Sequence, residues 1–450
     1  MNDFLDEYAA YCKTQGRPDR VELMLCDINA VLRGKWLPGD DEIKLSEGGV
    51  RLPLSTYAPN ILGEEVEATG LGIIVGDPDG RLYPVPGTLR PVPWAANGQK
   101  VAQVLVEMDD ETGEVAQFSP RFQLEKMLGR FRERGLTPVV ATELEFYLYK
   151  PRDAREDAPE PPERSPLAQN YDLEVLDRTQ AILDDILDGA YAQGMAPDTL
   201  IAEYGPGQFE INFHHTDNAL AAADDALFFR RLVRGTARRH GMSATFMAKP
   251  YADHPGNGMH AHISLIDEAG HNVFDDGTEG PSPLLRQAVA GTLVTMADLQ
   301  AIFAPHMNSY RRFQPASFAP HAPDWGIDNR AAAIRLPEVS GPGARLEHRI
   351  AGADTNPYLV LAAILGGMLH GLENPDLPLP LPLDDENGTH GEPLTADWAT
   401  AVETFSDSEI AAQVFGAQYR DIYTAVRRDE ISQLTTAISQ IEYRTYLGRL

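Results

Sequence analysis

The segment Thr137-Pro-Val-Val-Ala-Thr-Glu143-Leu-Glu145-Phe-Tyr-Leu-Tyr149 decides the predicted fold. Its apolar, β-branched and aromatic residues predict one long strand. Alternate side chains of a strand share a face, so Glu143 and Glu145 lie side by side. Two buried carboxylates repel each other unless a cation accompanies them. The chain has 67 acidic residues, so this motif alone leaves a solvated pair open as the alternative.

Further elements are predicted on both sides of this strand from apolar periodicity and from capping residues. Helix starts are marked by Ser119-Pro120 and by Asn356-Pro357, and glycines mark the helix ends. The predicted helices run from Pro120 to Gly135, over 174–193, over 219–240 and from Pro357 onward. The other predicted strands are Val21–Cys26, Val101–Met108, Gln208–His215 and Ala244–Ala248.

These elements divide the chain into two predicted domains. Residues 1–113 contain strands and turns after one short helix, whereas strands and helices interleave from residue 114 to residue 450. We therefore predict a domain boundary near residue 113. The Pro-rich segments 151–170 and 374–395 are predicted to be surface loops.

Composition limits the possible partners. The 450 residues carry a net charge of −29, which argues against nucleic acid or an anionic membrane as a partner, and 43% are hydrophobic, enough for a large core. Cys12 and Cys26 are too few for a disulfide framework, so we expect a cytoplasmic protein. The acidic N-terminus predicts no signal peptide, and the apolar run Tyr358–Met368 is too short to span a bilayer.

Three further motifs bring charged or metal-ligating side chains together. Glu203-Tyr-Gly-Pro-Gly-Gln-Phe-Glu210 places two carboxylates around a tight turn, and an ordinary turn is the alternative. Gly256-Asn-Gly-Met-His260-Ala-His262-Ile-Ser264 leads from a glycine turn into a strand with two histidines on one face. Arg345-Leu-Glu347-His-Arg349 is either an ion pair or a metal carboxylate beside anion-binding arginines. Five glutamates and one histidine together favour Mg²⁺ or Mn²⁺.

Arginines are concentrated close to these motifs. Six lie between Asn308 and Arg349, a stretch without lysine. The planar guanidinium binds carboxylate and phosphate through two parallel hydrogen bonds. A small, multiply anionic ligand is therefore predicted, with surface ion pairs as the alternative for any single arginine. Divalent ions beside arginines are the groups that phosphoryl transfer uses.

The order of the motifs resembles the glutamine synthetase superfamily along nearly the whole chain. The matching segments are E-L-E-F-Y-L (143–148), E-Y-G-P-G-Q-F-E (203–210), F-M-A-K-P (246–250), G-N-G-M-H-A-H-I-S (256–264), N-S-Y-R-R-F (308–313), D-N-R-A-A-A-I-R (328–335) and R-L-E-H-R (345–349). The resemblance implies an α+β fold: a small β-grasp-like N-terminal domain, then a catalytic α/β domain with an antiparallel active-site sheet. It also implies a homo-oligomer, a dodecamer of two hexameric rings, with active sites between subunits.

The resemblance also implies a role for each matched residue. One metal ion would be held by Glu145, Glu203 and Glu210, and a second by Glu143, His260 and Glu347. Gly256, Arg312 and Arg349 would bind glutamate, and Arg330 would act with Arg312 in catalysis at the transferred phosphate. The implied ATP-binding residues are His262, Ser264, Arg335 and Arg345.

The chain departs from glutamine synthetases where those enzymes hold ammonium with acidic side chains. One such position is Phe318, between Arg312 and Ala319-Pro320, and the other falls in Leu52–Thr56, which has no acid. Several N-terminal segments, such as Leu23-Met-Leu-Cys-Asp-Ile-Asn, resemble the γ-glutamylputrescine synthetase branch. We therefore predict an ATP-dependent carbon–nitrogen ligase that joins glutamate to putrescine in polyamine catabolism, with Phe318 contributing to amine specificity.

Three alternatives remain at this stage. The first is an ordinary glutamine synthetase, the second a ligase for ethanolamine, spermidine or another amine, and the third a catalytically dead structural relative. A diamine would leave a distal ammonium group, for which Glu64, Glu65 and Asp324 are candidate partners.

Overall fold

The computed structural model describes residues 2–96, 98–109, 116–152, 158–163, 168–314 and 317–450. Within these ranges the chain forms two β-sheets, one built from residues 20–109 and one from residues 137–348. The domain boundary predicted near residue 113 lies outside the described residues.

The N-terminal sheet has strand order β2-β1-β6-β4-β3, and β5 also pairs with β6. Its strands are β1 (Arg20–Cys26), β2 (Leu32–Pro38), β3 (Arg51–Pro53), β4 (Asp79–Pro84), β5 (Arg90–Pro91) and β6 (Val101–Asp109). Strands β1 and β6 are parallel and the other pairs are antiparallel. Helix α1 (Asn2–Gln15) buries Phe4 and Tyr8 in the same core as the sheet, and α2 (Glu42–Ser46) is short.

The second sheet has strand order β12-β13-β14-β11-β7-β9-β8, and β10 also pairs with β7. Its strands are β7 (Thr137–Tyr149), β8 (Pro197–Ala202), β9 (Gln208–Phe213), β10 (Ser243–Thr245), β11 (Met259–Ile266), β12 (Trp325–Ile327), β13 (Ile334–Glu338) and β14 (Arg345–His348). Only β12 and β13 are parallel among the named pairs of this sheet. The expected antiparallel sheet is therefore present.

Ten helices of the described chain follow the N-terminal sheet. They are α3 (Pro120–Arg132), α4 (Leu173–Ala192), α5 (Ala219–Arg239), α6 (Pro283–Val294), α7 (Gln300–Phe303), α8 (Pro357–Glu373), α9 (Trp398–Asp407), α10 (Glu409–Phe415), α11 (Ala417–Thr436) and α12 (Gln440–Tyr446). The predicted caps form: the side chain of Ser119 accepts from the backbone of Phe122, and that of Asn356 from Tyr358. No helix within the described ranges is long and apolar enough to cross a membrane.

Two predicted strands are longer than the observed ones. Gln208–His215 ends at Phe213, and Ala244–Ala248 is replaced by Ser243–Thr245. The second strand ends at Thr245 because the backbone N–H groups of Met247 and Lys249 donate to side-chain oxygens instead of to a neighbouring strand. Met247 N donates to Thr245 Oγ1 at 3.0 Å, and Lys249 N donates to Asn308 Oδ1 at 2.8 Å. The segments 151–170 and 374–395 contain no helix or strand in their described parts.

Strand β7 separates the core beneath the second sheet from the polar face of that sheet. Val140, Leu144, Phe146 and Leu148 are fully buried on one side, and Glu143 and Glu145 alternate with them. The buried side chains belong to one large core that includes residues of α3, α5 and the almost wholly buried α8. The opposite side of β7 is thereby left for charged groups.

Helix α11 connects the N-terminal region to the rest of the chain through buried hydrogen bonds. Arg427 is fully buried, donates to Glu430 Oε2 at 2.6 Å, and donates to Asn29 Oδ1 at 2.6 Å. Glu430 in turn accepts from the backbone N–H of Ile61 at 2.7 Å. The hydrogen bonds to Asn29 and Ile61 offset part of the cost of burying this ion pair.

Candidate active site

The register of four neighbouring strands brings the charged motifs together. Glu143 of β7 lies opposite His260 of β11, and Glu145 of β7 lies opposite Glu210 of β9. On the other side of β11, His262 lies opposite Glu347 of β14. Residues that lie opposite each other in an antiparallel pair have adjacent side chains, so motifs more than 200 residues apart in sequence meet on one face.

Glu143 connects the two histidines. Its Oε2 lies 2.9 Å from His260 Nδ1 and its Oε1 lies 2.9 Å from His262 Nε2. Burial acts to raise the pKa of Glu143, but the hydrogen bonds of both histidines outweigh it and hold that pKa well below its usual range. Glu143 is therefore a carboxylate at neutral pH.

Glu347 is almost fully buried and is held by two arginines. Arg335 Nη1 donates to its Oε2 at 3.0 Å, and Arg349 Nη1 donates to its Oε1. Burial acts to raise the pKa of Glu347, and Arg349 and His260 lower it below its ordinary value. Its Oε1 also lies 3.8 Å from His260 Nδ1.

Two groups of side chains have ligand atoms within 4.8 Å of one another: Glu143 with His260 and Glu347, and Glu145 with Glu210 and His260. The first group contains the residues predicted for one metal ion. The second differs from the predicted set, because His260 takes the place of Glu203. Both groups share His260 and offer mostly carboxylate oxygens, the donors that Mg²⁺ and Mn²⁺ prefer.

Glu203 lies in the same cavity but just beyond the end of β8, at the start of the Gly-Pro-Gly turn. Its Oε2 accepts a hydrogen bond of 3.3 Å from the backbone N–H of Tyr204. Burial and repulsion from Glu145 raise the pKa of Glu203 to about 7. Burial and the charges of Glu143 and Glu145 raise that of Glu210 well above its ordinary value. Carboxylates crowded in this way favour a bound cation.

A cavity of about 640 Å³ opens over this cluster. Besides the five glutamates and His260, the predicted site residues that line it are Gly256, Arg312, Phe318, Arg330, Arg335 and Arg349. Arg312 is buried beneath it and donates from Nη1 to the carbonyl of Ile350 at 2.7 Å. Gly256 lies against Arg312: a Cβ there would be 2.8 Å from Arg312 Cγ and 2.4 Å from the carbonyl oxygen of Ala248.

A second cavity of about 290 Å³ lies beside the first. His262, Ser264 and Arg345 line it, and Arg345 Nε lies 3.3 Å from His262 Nδ1. Glu143 lines both cavities. The predicted ATP-binding residues are thus divided between the two cavities, because Arg335 lines the larger one.

Phe318 forms an aromatic rim on the larger cavity. Its side chain is 69% exposed, and its ring centroid lies 5.0 Å from that of Tyr204. Its backbone is left-handed, with a φ of 59°, a conformation rare for a bulky residue. Asp324, by contrast, is buried and accepts from the backbone of Ala333 at 2.8 Å, and neither it, Glu64 nor Glu65 lines this cavity.

Several residues in or beside the cavities were not predicted from the sequence. Gln208 Nε2 donates to Glu145 Oε2 at 3.2 Å and to the carbonyl of Gly256 at 3.0 Å, so it joins two motifs. Asp328 accepts from Arg335 Nε at 3.0 Å. Both residues lie inside matching motifs, and that position was the signal that could have identified them. Thr199 and Asn212 line both cavities and carry no such signal.

Comparison with protein families matches residues 117–446 to the glutamine synthetase catalytic domain. The chain belongs to the glutamine synthetase family. The resemblance inferred from the motifs is thereby confirmed, together with the glutamine synthetase-like fold.

Individual relatives are similar along nearly the whole length. γ-Glutamylputrescine synthetase PuuA of Escherichia coli (strain K12) is 41% identical over 98% of this chain and 94% of its own length. Glutamate–isopropylamine ligase of a Pseudomonas species is 34% identical over 95% of each chain. The solved structure of a GmaS/ADP complex matches all of both chains, with a TM-score of 0.85 and 27% identity.

Proposed function

We propose that this protein is an ATP-dependent carbon–nitrogen ligase that joins the γ-carboxylate of glutamate to putrescine. Membership of the glutamine synthetase family and the glutamate–amine ligases among the relatives support the reaction class. The observation that carries the choice of an alkylamine is the Tyr204–Phe318 rim of the larger cavity. Apolar rings favour the carbon chain of an amine over ammonium, which prefers water and carboxylates.

The chemistry has two steps. A carboxylate is a poor acyl donor because its oxygen is a poor leaving group. The γ-phosphoryl group of ATP is first transferred to an oxygen of the glutamate γ-carboxylate, which gives ADP and γ-glutamyl phosphate. The neutral amine then attacks the acyl carbon, the C–N bond forms, inorganic phosphate leaves, and the amine loses a proton.

The residues of the larger cavity can perform distinct parts of this reaction. Arg312 and Arg349, with the backbone near Gly256, line this cavity and would hold glutamate through its carboxylates. Arg330 and Arg335 face the same space and can neutralise charge on the transferred phosphate. His262, Ser264 and Arg345 line the smaller cavity and would contact ATP.

The carboxylate cluster fits a divalent metal site. Glu143, His260 and Glu347 would hold one Mg²⁺ or Mn²⁺ ion, and Glu145 and Glu210 with Glu203 a second. Bound ions of this type neutralise phosphate charge and orient phosphoryl groups. The raised pKa values of Glu203 and Glu210 support this assignment, since they result from burial and from repulsion between neighbouring carboxylates, both of which a divalent cation would offset.

Phosphate release from ATP and glutamate with a panel of amines tests the proposal. We expect kcat/KM for putrescine to exceed that for ammonium, ethanolamine, spermidine and isopropylamine. Equal use of ammonium would make the protein an ordinary glutamine synthetase. Turnover best supported by another amine would change the substrate but keep the reaction. Failure to hydrolyse ATP with any amine would identify a catalytically dead relative.

The proposal extends to assembly and location. We propose a dodecamer of two hexameric rings, because the sequence resembles a family with active sites between subunits. Sedimentation velocity at micromolar concentration distinguishes it from smaller species. A cytoplasmic location agrees with Cys12 and Cys26, which are both free thiols.

A further inference from the structure

A cavity of about 530 Å³ lies outside the candidate active site and shares no lining residue with either cavity described above. Four arginines of helix α5 line it: Arg230, Arg231, Arg234 and Arg238. Residues 29–32 of the N-terminal region and the segment around Asp354 complete its walls. Three of the arginines follow at intervals of four, so they project from one face of the helix.

The arginines of this α5 cavity are poorly neutralised. Arg231 pairs with Glu22, but within the described parts of the chain no carboxylate lies within salt-bridge distance of Arg230, Arg234 or Arg238. Asp354 is the one acidic side chain in the lining, and it already accepts from Ser309 Oγ at 2.6 Å. Three arginines against one aspartate leave the cavity positive in a chain whose net charge is −29.

Arg230 forms the floor of the cavity and is only 4% exposed. Its Nη1 donates to the carbonyl of Thr355 at 2.7 Å, whereas its Nε has no hydrogen-bond partner among the described residues. That Nε is almost inaccessible, so a ligand in the cavity would be held by the exposed guanidinium groups of Arg234 and Arg238. The ring of Phe246 supports the arrangement, with the guanidinium carbons of Arg230 and Arg234 at 6.0 and 5.5 Å from its centroid.

We propose that the α5 cavity binds a small multivalent anion, a polycarboxylate or a phosphate compound, at a site separate from the catalytic one. The exposed Arg234 and Arg238 form the mouth, and the buried Arg230 forms the floor. A row of guanidinium groups along one wall of a concave space can bind several oxygens of such a ligand. The volume suits a molecule of the size of citrate.

Isothermal titration of the metal-free protein with citrate, and separately with inorganic phosphate, tests the site. The wild type is expected to bind at least one of them with a Kd below about 10 mM. The double variant Arg234→Gln/Arg238→Gln is expected to weaken that binding about tenfold, which corresponds to about 1.4 kcal/mol. Tighter binding of citrate than of phosphate would identify a carboxylate ligand, and the reverse order a phosphate compound.

Two matched variants distinguish binding in the α5 cavity from binding elsewhere on the protein. Arg239→Gln removes a neighbouring charge of the same helix outside the cavity, and Arg349→Gln alters the candidate active site. Arg239→Gln is expected to keep the wild-type isotherm, and Arg349→Gln is expected to lose only an active-site component while the binding that depends on Arg234 and Arg238 persists. The single variant Arg238→Gln changes an exposed residue, so weaker binding there supports the site even if the double variant does not fold.

Three results would overturn the proposal. The first is no binding of either anion to the wild type. The second is binding that Arg349→Gln removes and Arg234→Gln/Arg238→Gln does not, because the anion would then occupy the active site. The third is a change of sedimentation mass in the double variant without a change in anion binding, which would assign these arginines to a contact between copies of the chain.

Discussion

Glu143 and His260 lie directly opposite each other on neighbouring strands, with 2.9 Å between Oε2 of the carboxylate and Nδ1 of the ring. The other oxygen of Glu143 reaches His262 at the same distance. One carboxylate thus connects the residue shared by both candidate metal groups with a residue of the second cavity.

Glu143→Gln is expected to weaken Mg²⁺ or Mn²⁺ binding and to reduce ligase activity by about 100-fold or more. Mutation of a residue that only supports a metal ligand typically costs about 10- to 100-fold, so the loss of a direct ligand should reach or exceed that range. The amide keeps the shape but removes the negative charge that both histidines face. Metal titration followed by phosphate-release assays measures both effects. Glu268→Gln, an exposed acid after β11, is the control, and equal losses in the two variants would contradict the role of Glu143.

Phe318→Glu is expected to raise the ratio of kcat/KM for ammonium to kcat/KM for putrescine by about tenfold, since a carboxylate at the rim attracts a small cation and an aromatic ring packs on a carbon chain. Phe318→Leu retains an apolar side chain and should change that ratio little. Both replacements keep a non-glycine residue at the left-handed φ of 59°. An unchanged ratio in the glutamate variant would remove Phe318 from amine specificity.

Gly256→Ala is expected to raise the KM for glutamate more than it lowers kcat. The new Cβ would lie 2.4 Å from the carbonyl oxygen of Ala248 and 2.8 Å from Arg312 Cγ, so the arginine beneath the cavity must move. Steady-state kinetics with varied glutamate measure the change. Gly129→Ala is the control, because its nearest neighbour is the end of a flexible arginine at 3.7 Å. A similar KM in both variants would place glutamate elsewhere.

Stability of the metal-free protein is expected to decrease as pH rises from about 4.5 to about 7. The pKa of Glu203 rises on folding from about 4.3 to about 7, so the folded state binds more protons than the unfolded state in this range. Stability falls with rising pH whenever that is so. Thermal unfolding at several pH values measures the slope.

The contribution of Glu203 is isolated by two comparisons. Glu203→Gln should flatten the slope, and saturating Mg²⁺ should do so in the wild type because the cation replaces the proton. Asp27 and Glu107 also have pKa values raised by burial, to about 6 and about 7, so a residual slope of the same sign is expected in the variant. A slope that neither change affects would contradict the crowding of carboxylates at the site.

Much of the site could be predicted from sequence because its residues lie on regular strands. Alternation along β7 places Glu143 and Glu145 on one face of that strand, and alternation along β11 does the same for His260 and His262, without knowledge of strand order. Glu203 lines the same cavity as Glu145 and Glu210, but it follows the end of its strand, where a turn and not a two-residue period sets its direction. Arg335 is bonded to Asp328 and Glu347 and lines the larger cavity, and its role in ATP binding stays a prediction.

Other features depend on long-range packing that no local pattern reports. The register between β7 and β9 decides that Asn212 lies opposite Glu143. The aromatic contact between Tyr204 and Phe318 joins two turns more than a hundred residues apart in sequence. The α5 arginines fit an ordinary amphipathic helix in the sequence, and only the surrounding walls show how few acids accompany them.

The position of Glu143 on the wall between the two cavities has a consequence for the rate law. If the nucleotide and glutamate bind on opposite sides of Glu143, the phosphoryl group is transferred directly between them while both remain bound to the enzyme. In the proposed arrangement the amine would approach the acyl carbon past Tyr204 and Phe318 of the larger cavity. Initial-rate plots of ATP against glutamate should then intersect, as for a sequential mechanism, and a parallel pattern would be incompatible with this layout.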